Sequence, residues 1–83
     1  MKRAGSPTIL ANILKEKRRD RSLSQLEVGR LVGVRQATIS KLENNPGTTR
    51  LDTLFRALSA LGIDLYLKDR DSDQKTSKWN EEW

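Results

Sequence analysis

An 83-residue chain with neither cysteine nor histidine can form no disulfide, offers no thiolate or imidazole to a metal, and lacks the commonest general base. Its 16 Lys/Arg against 11 Asp/Glu give a net charge of +5 and a pI of about 10.0. The balance is uneven: residues 1–62 carry 12 basic and 5 acidic side chains, residues 63–83 carry 4 and 6. A single small domain with a basic body suggests a polyanionic partner, although a solvated surface charge would look the same. No apolar run approaches the ~20 residues of a membrane span. The opening MKRAGSPTIL has no signal-peptide core, so the cytoplasm, with the nucleoid, is the expected place.

In chain order, Met1 to Gly5 read as a mobile basic arm. Ser6-Pro7 then supplies an N-cap followed by proline in the first helical position. Ile9, Leu10, Ile13, Leu14 and Lys17 follow at helical spacing and predict a first helix to about Asp20. The cations Lys15, Lys17, Arg18, Arg19 and Arg21 cluster at its end, where they suit the helix dipole and some could also reach phosphate.

Ser24 to Glu27 form a capping box that opens a second helix, Gln25 to Val32. Gly33 breaks it, and a third helix, Gln36 to Asn44, follows almost at once, closed by Asn45-Pro46-Gly47. Two short helices meeting through a tight turn are the helix-turn-helix unit, whose second helix enters the DNA major groove. Val28, Val32, Val34, Ile39 and Leu42 are its predicted core. Gly29 marks the close approach of the two helices, and Gly33 takes the positive φ of the turn. Thr49, with Asp52 three residues on, is expected to cap a fourth helix. Its apolar face would be Leu51, Leu54, Phe55, Leu58 and Leu61, and Gly62 would end it.

From there the period changes from 3.6 to 2. Ile63, Leu65 and Leu67 alternate with polar or larger partners and predict one short strand over 63–68. A lone strand has two unpaired edges, so its expected partner is its own copy in a homodimer. Residues 69–83 are polar and aperiodic and read as a flexible tail, in which Trp79 and Trp83 stand out. The predicted fold is thus mainly α: a helix-turn-helix domain of four to five helices over 6–62, plus one C-terminal β-strand that pairs across a homodimer.

The outward residues of the third helix are the candidate readers. Gln36 can make paired bonds to adenine. Arg35 can bind guanine bidentately or contact phosphate, and Ala37 and the methyl of Thr38 can touch a thymine methyl. Ser40 and Lys41 suit phosphate or neighbouring bases. Gln25, opening the second helix, can hold a phosphate through side chain and backbone N–H. With no His, Cys, phosphate loop or carboxylate pair, an enzyme is not expected, nor a metal or cofactor.

The region from Ser6 to Leu61 resembles the lambdoid-repressor class of helix-turn-helix proteins. That resemblance implies an ion pair between Arg18 of the first helix and Glu43 of the third. SPTILAN, QATIS, LENNP, the strand IDLYLKD and the acidic tail ending in Trp, in that order, are together similar to the HipB-type antitoxins of HipBA toxin–antitoxin systems. The resemblance covers nearly the whole chain. It implies a β-lidded dimer on a palindromic operator of its own operon, with base contacts from Arg35, Gln36 and Ala37. It also implies a HipA-type serine/threonine kinase toxin as partner, engaged by a tryptophan of the tail, either Trp79 or Trp83. The family pattern has a polar residue at the second position of the second helix, where this chain has Leu26. A stand-alone repressor without a toxin is the alternative; such a protein would not need the tail.

Overall fold

The structure is a computed structural model that describes residues 3–69. Four α-helices follow one another: α1 (Pro7–Asp20), α2 (Gln25–Val32), α3 (Gln36–Asn44) and α4 (Leu51–Leu61), with a 3₁₀ turn at Pro46–Thr48 between the last two. Each of the first two helices starts on a serine that satisfies an otherwise orphan N–H. Ser6 Oγ accepts from the Ile9 amide at 3.1 Å, and Pro7 occupies N1, where no N–H is needed. Ser24 Oγ accepts from the Glu27 amide at 3.0 Å while Glu27 Oε1 accepts from the Ser24 amide at 2.7 Å. That reciprocal box fixes where α2 begins.

The two helix ends that carry glycine close in the left-handed region. Gly33 (φ 77°) turns the chain from α2 into α3, and Val34 N donates back to Gly29 O at 2.9 Å. Gly62 (φ 69°) ends α4 in a Schellman arrangement, with Ile63 N on Leu58 O at 2.9 Å and Gly62 N on Ser59 O at 3.1 Å. Between α1 and α2, Ser22 takes a positive φ of 56° without being glycine.

Leu14, Val28, Ile39, Leu42, Ala57, Leu58 and Leu61 form the core, with Leu10, Leu23, Val34, Leu54 and Ile63 packed on it. All four helices contribute. Gly29 is buried because nothing larger fits: a Cβ there would stand 2.6 Å from Val34 O. The close approach is therefore between α2 and the Val34 carbonyl of the turn, two residues before α3 begins.

Two expectations for α4 are corrected. Thr49 does not cap the helix. Thr49 and Arg50 are both extended, so Arg50 takes the cap position without a side-chain cap bond, and the Thr49 hydroxyl is buried with no partner among the described residues. Asp52 instead holds the Arg50 guanidinium and accepts from the Thr53 amide at 2.8 Å. The apolar face is also narrower than its spacing implied. Leu51 and Phe55 are 71% and 51% exposed, and Ala57 takes a place in the core. Among the described residues there is no strand: 63–69 run on from Gly62 without a ladder partner. Among the described residues of one copy no second segment forms a ladder with them.

Candidate nucleic-acid interface

The helix α3 divides cleanly. Ile39, Leu42 and Glu43 are buried, whereas Arg35, Gln36, Ala37 and Lys41 are exposed and Thr38 and Ser40 half-buried. Arg35 sits at the N-cap in extended conformation and makes no side-chain cap bond, so its guanidinium stands at the leading end of the helix. The amides opening α3 have no helical carbonyl behind them and add partial positive charge at the same end. Asn44 Nδ2 donates to the Ser40 carbonyl at 2.9 Å and to Ser40 Oγ at 3.2 Å, which leaves the Ser40 O–H free to donate outward.

Behind this face, α3 is fastened by charge. Arg18 Nε meets Glu43 Oε2 at 2.6 Å and Nη2 meets Oε1 at 3.1 Å, a two-point pair with side chains only 11% and 3% exposed. The third arm of the fork, Nη1, donates to Leu23 O at 2.8 Å, so one guanidinium ties α1, α3 and the turn before α2. Burial alone would raise the Glu43 carboxyl. Hydrogen bonds from Arg18 and Gln25, and the charges of Arg18 and Lys15, outweigh it and hold the group below the usual carboxylate range. The site therefore keeps an ionised carboxylate on the buried face of α3.

Gln25, at the first position of α2, is half-buried between the two helices. Its Nε2 donates to Glu43 Oε1 at 3.0 Å and its Oε1 accepts from Gln36 Nε2 at 3.1 Å. Beside it, Leu26 is an apolar group 45% exposed at the start of α2.

A second anion-friendly corner escaped the sequence reading. Lys41, Thr38, Thr48, Arg50 and Thr53 line a dent of about 130 Å³ at the N-terminal end of α4. The signal was present as Thr48-Thr49-Arg50 just ahead of a helix, but it reads equally as capping chemistry. Of the basic cluster on α1, Arg18 is committed internally, and Lys17, Arg18 and Arg19 lie in the last turn, where the dipole favours cations. Trp79 and Trp83 lie outside the described residues. No helix among the described residues is long and apolar enough to cross a membrane.

Two helices at a tight glycine turn, the second presenting Arg35, Gln36 and Ala37 and pinned from behind, define a helix-turn-helix protein. The helix-turn-helix family profile matches residues 14–67. Antitoxin HipB of Escherichia coli strain K12 is 41% identical over 80 residues, covering 94% of this chain and 91% of the relative. The putative antitoxin HigA2 of Mycobacterium tuberculosis is 37% identical over 62 residues, 74% of this chain and 61% of that protein. Among solved structures, a chain of the HipB-O4 20mer complex matches with TM-score 0.81 at 40% identity, covering 84% of this chain and 99% of the other. A chain of the HipA-HipB-O2-O3 complex matches with TM-score 0.82 at the same identity and coverage. The chain belongs to the HipB antitoxin family of helix-turn-helix proteins.

Proposed function

We propose that this chain is a dimeric antitoxin that represses its own toxin–antitoxin operon at palindromic operators and neutralises a HipA-type kinase toxin. The observation that carries the DNA half is the exposed row Arg35, Gln36, Ala37 on a helix whose opposite face is locked by Arg18 and Glu43. In this reading Arg35, Gln36, Ala37 and Thr38 meet base edges, and Gln25, Ser40 and Lys41 meet phosphates, joined by Arg50 at the α4 corner. The toxin half is supported by relatives named as HipB antitoxins and by a matching structure that contains HipA.

Dimerisation has its own support. Residues 63–67 lie over a groove of about 530 Å³ lined by Leu10, Ile13, Leu14 and Leu58, and they leave Leu65 and Leu67 44% and 93% exposed. A second copy, pairing Ile63, Leu65 and Leu67 with their own counterparts, would cover that apolar surface and complete the ladder. Residues 1–5 then serve as a basic arm and residues 69–83, with Trp79 and Trp83, as the toxin-binding tail. The reading assigns the chain no catalytic step.

Titration of operator DNA at several salt concentrations tests it. A dimer that neutralises roughly six to ten phosphates gives a slope of log K against log salt of about −5 to −9. A slope near zero would rule out phosphate-driven binding. Capture of the kinase by full-length protein and by a version ending at residue 74 tests the tail; equal recovery would exclude an anchor there, and recovery by neither would favour a stand-alone repressor.

A further inference from the structure

The groups under the reading face form a hydrogen-bond chain with a direction. An ionised carboxylate only accepts. Glu43 accepts from Arg18 through Nε and Nη2 and from Gln25 Nε2 at 3.0 Å. Gln25 must therefore turn its nitrogen inward and its carbonyl toward α3. That carbonyl accepts from Gln36 Nε2 at 3.1 Å. One N–H of Gln36 is used up; its second N–H and its carbonyl remain on the exposed side. A donor beside an acceptor is the complement of the adenine N7 and N6 amino group. Were the Gln36 amide reversed, its carbonyl would face Gln25 and both N–H groups would point outward, a pattern suited to guanine O6 and N7.

We propose that Glu43 is a positioning residue for base choice: acting through Gln25, its carboxylate holds the Gln36 amide in the adenine-reading orientation. Glu43 is 8% exposed and one layer behind the helix surface, so it acts without touching DNA. Reversing Gln36 alone would set two carbonyls against each other at Gln25. Reversing both amides would set the Gln25 carbonyl against the carboxylate. Only one orientation satisfies every member, and the fixed charge at Glu43 selects it. The inference rests on the reading of α3 as the base-contacting helix.

The test uses the full chain and the tightest duplex selected from a randomised library, with each half-site position then changed in turn. Gln36→Ala first marks the base pair that Gln36 reads. At that pair the wild type should prefer A·T over G·C by about tenfold or more, within the range expected of a bidentate contact. Glu43→Gln, which replaces the acceptor-only end with an amide, should reduce that ratio about fivefold, and should leave it unchanged in a Gln36→Ala background. Gln25→Met keeps the Arg18–Glu43 pair, and with it the fold, and should also reduce the ratio even if Glu43→Gln fails to fold. A uniform loss of affinity with the ratio intact would overturn the proposal, because a purely structural role lowers affinity for every sequence alike. If Gln36→Ala changes preference nowhere, the base-contact reading fails and the relay with it. If Gln36→Ala does but the other two variants do not, the relay alone fails.

Discussion

The side chain on which most of the site depends is Glu43. Its carboxyl is held below the ordinary glutamate range because hydrogen bonds from Arg18 and Gln25 outweigh the burial that alone would raise it. A group with a depressed folded-state pKa binds fewer protons when native than when unfolded. Its contribution is therefore complete above the unfolded value of about 4.3 and disappears as pH falls through the folded one. Thermal melts of wild type from pH 6 to pH 3 should lose stability more steeply than those of Glu43→Gln, whose amide does not titrate; parallel curves would show that the pair is not the acid-sensitive element. Arg18→Met should cost about 3 kcal/mol at neutral pH, since it leaves a buried carboxylate unpaired. At this scale the residues themselves revealed little. Arg18 and Glu43 are 25 positions apart, and only the family resemblance paired them. The link from Gln25 to Gln36 depends on how α2 and α3 cross, which spacing along the chain does not encode.

Elements were far more legible, because their ends are written locally. Ser6-Pro7, the Ser24–Glu27 box, Gly33 and Gly62 each solve an end problem with a neighbour at most five residues away, and each sits where its chemistry placed it. The start of α4 was not legible for the same reason in reverse. Thr49 and Asp52 both carry oxygens able to accept from the free amides of a helix start, and in the structure it is Asp52 that accepts from Thr53 N and holds the Arg50 guanidinium at 3.1 and 3.2 Å, while Thr49 stays outside the helix. Gly29 shows where the element level meets the turn. A methyl added there would press against a backbone carbonyl, which cannot swing aside as a side-chain end would. Gly29→Ala should therefore destabilise by about 1–3 kcal/mol, the usual cost of overpacking. It should also weaken operator binding, because the shift would rotate α3 relative to α2. Chemical denaturation measures the first and half-site binding the second; an unchanged denaturation midpoint would mean that the turn gives way freely and that Gly29 is not what sets the helix spacing.

For the whole molecule the decisive quantity is apolar area that one copy leaves uncovered. A core built chiefly from seven buried residues is small, yet Leu51, Phe55, Leu65, Tyr66 and Leu67 all stand 44–93% exposed. The alternation over 63–68 shows in the sequence, but a partner does not, since a strand's pairing lies outside the segment itself and, in the proposed dimer, outside the single chain. Leu67→Asp puts a charge into the proposed lid strand without touching α2 or α3. Sedimentation should then show the wild type as a dimer and the variant as a monomer. Circular dichroism should retain the helices, because α1 to α4 share a core that does not include Leu67. Operator affinity should fall steeply, since two half-sites would have to be filled independently. The salt slope per bound unit should drop to about half of the dimer's −5 to −9, because each copy neutralises only its own phosphates. The slope separates two causes of weak binding: a misfolded helix-turn-helix would lose affinity by lowering the active fraction with the slope unchanged, whereas loss of the lid changes the number of phosphates engaged at once. A Leu67→Asp protein that stayed dimeric with a full slope would place the dimer contact elsewhere, on Leu51 and Phe55 of α4.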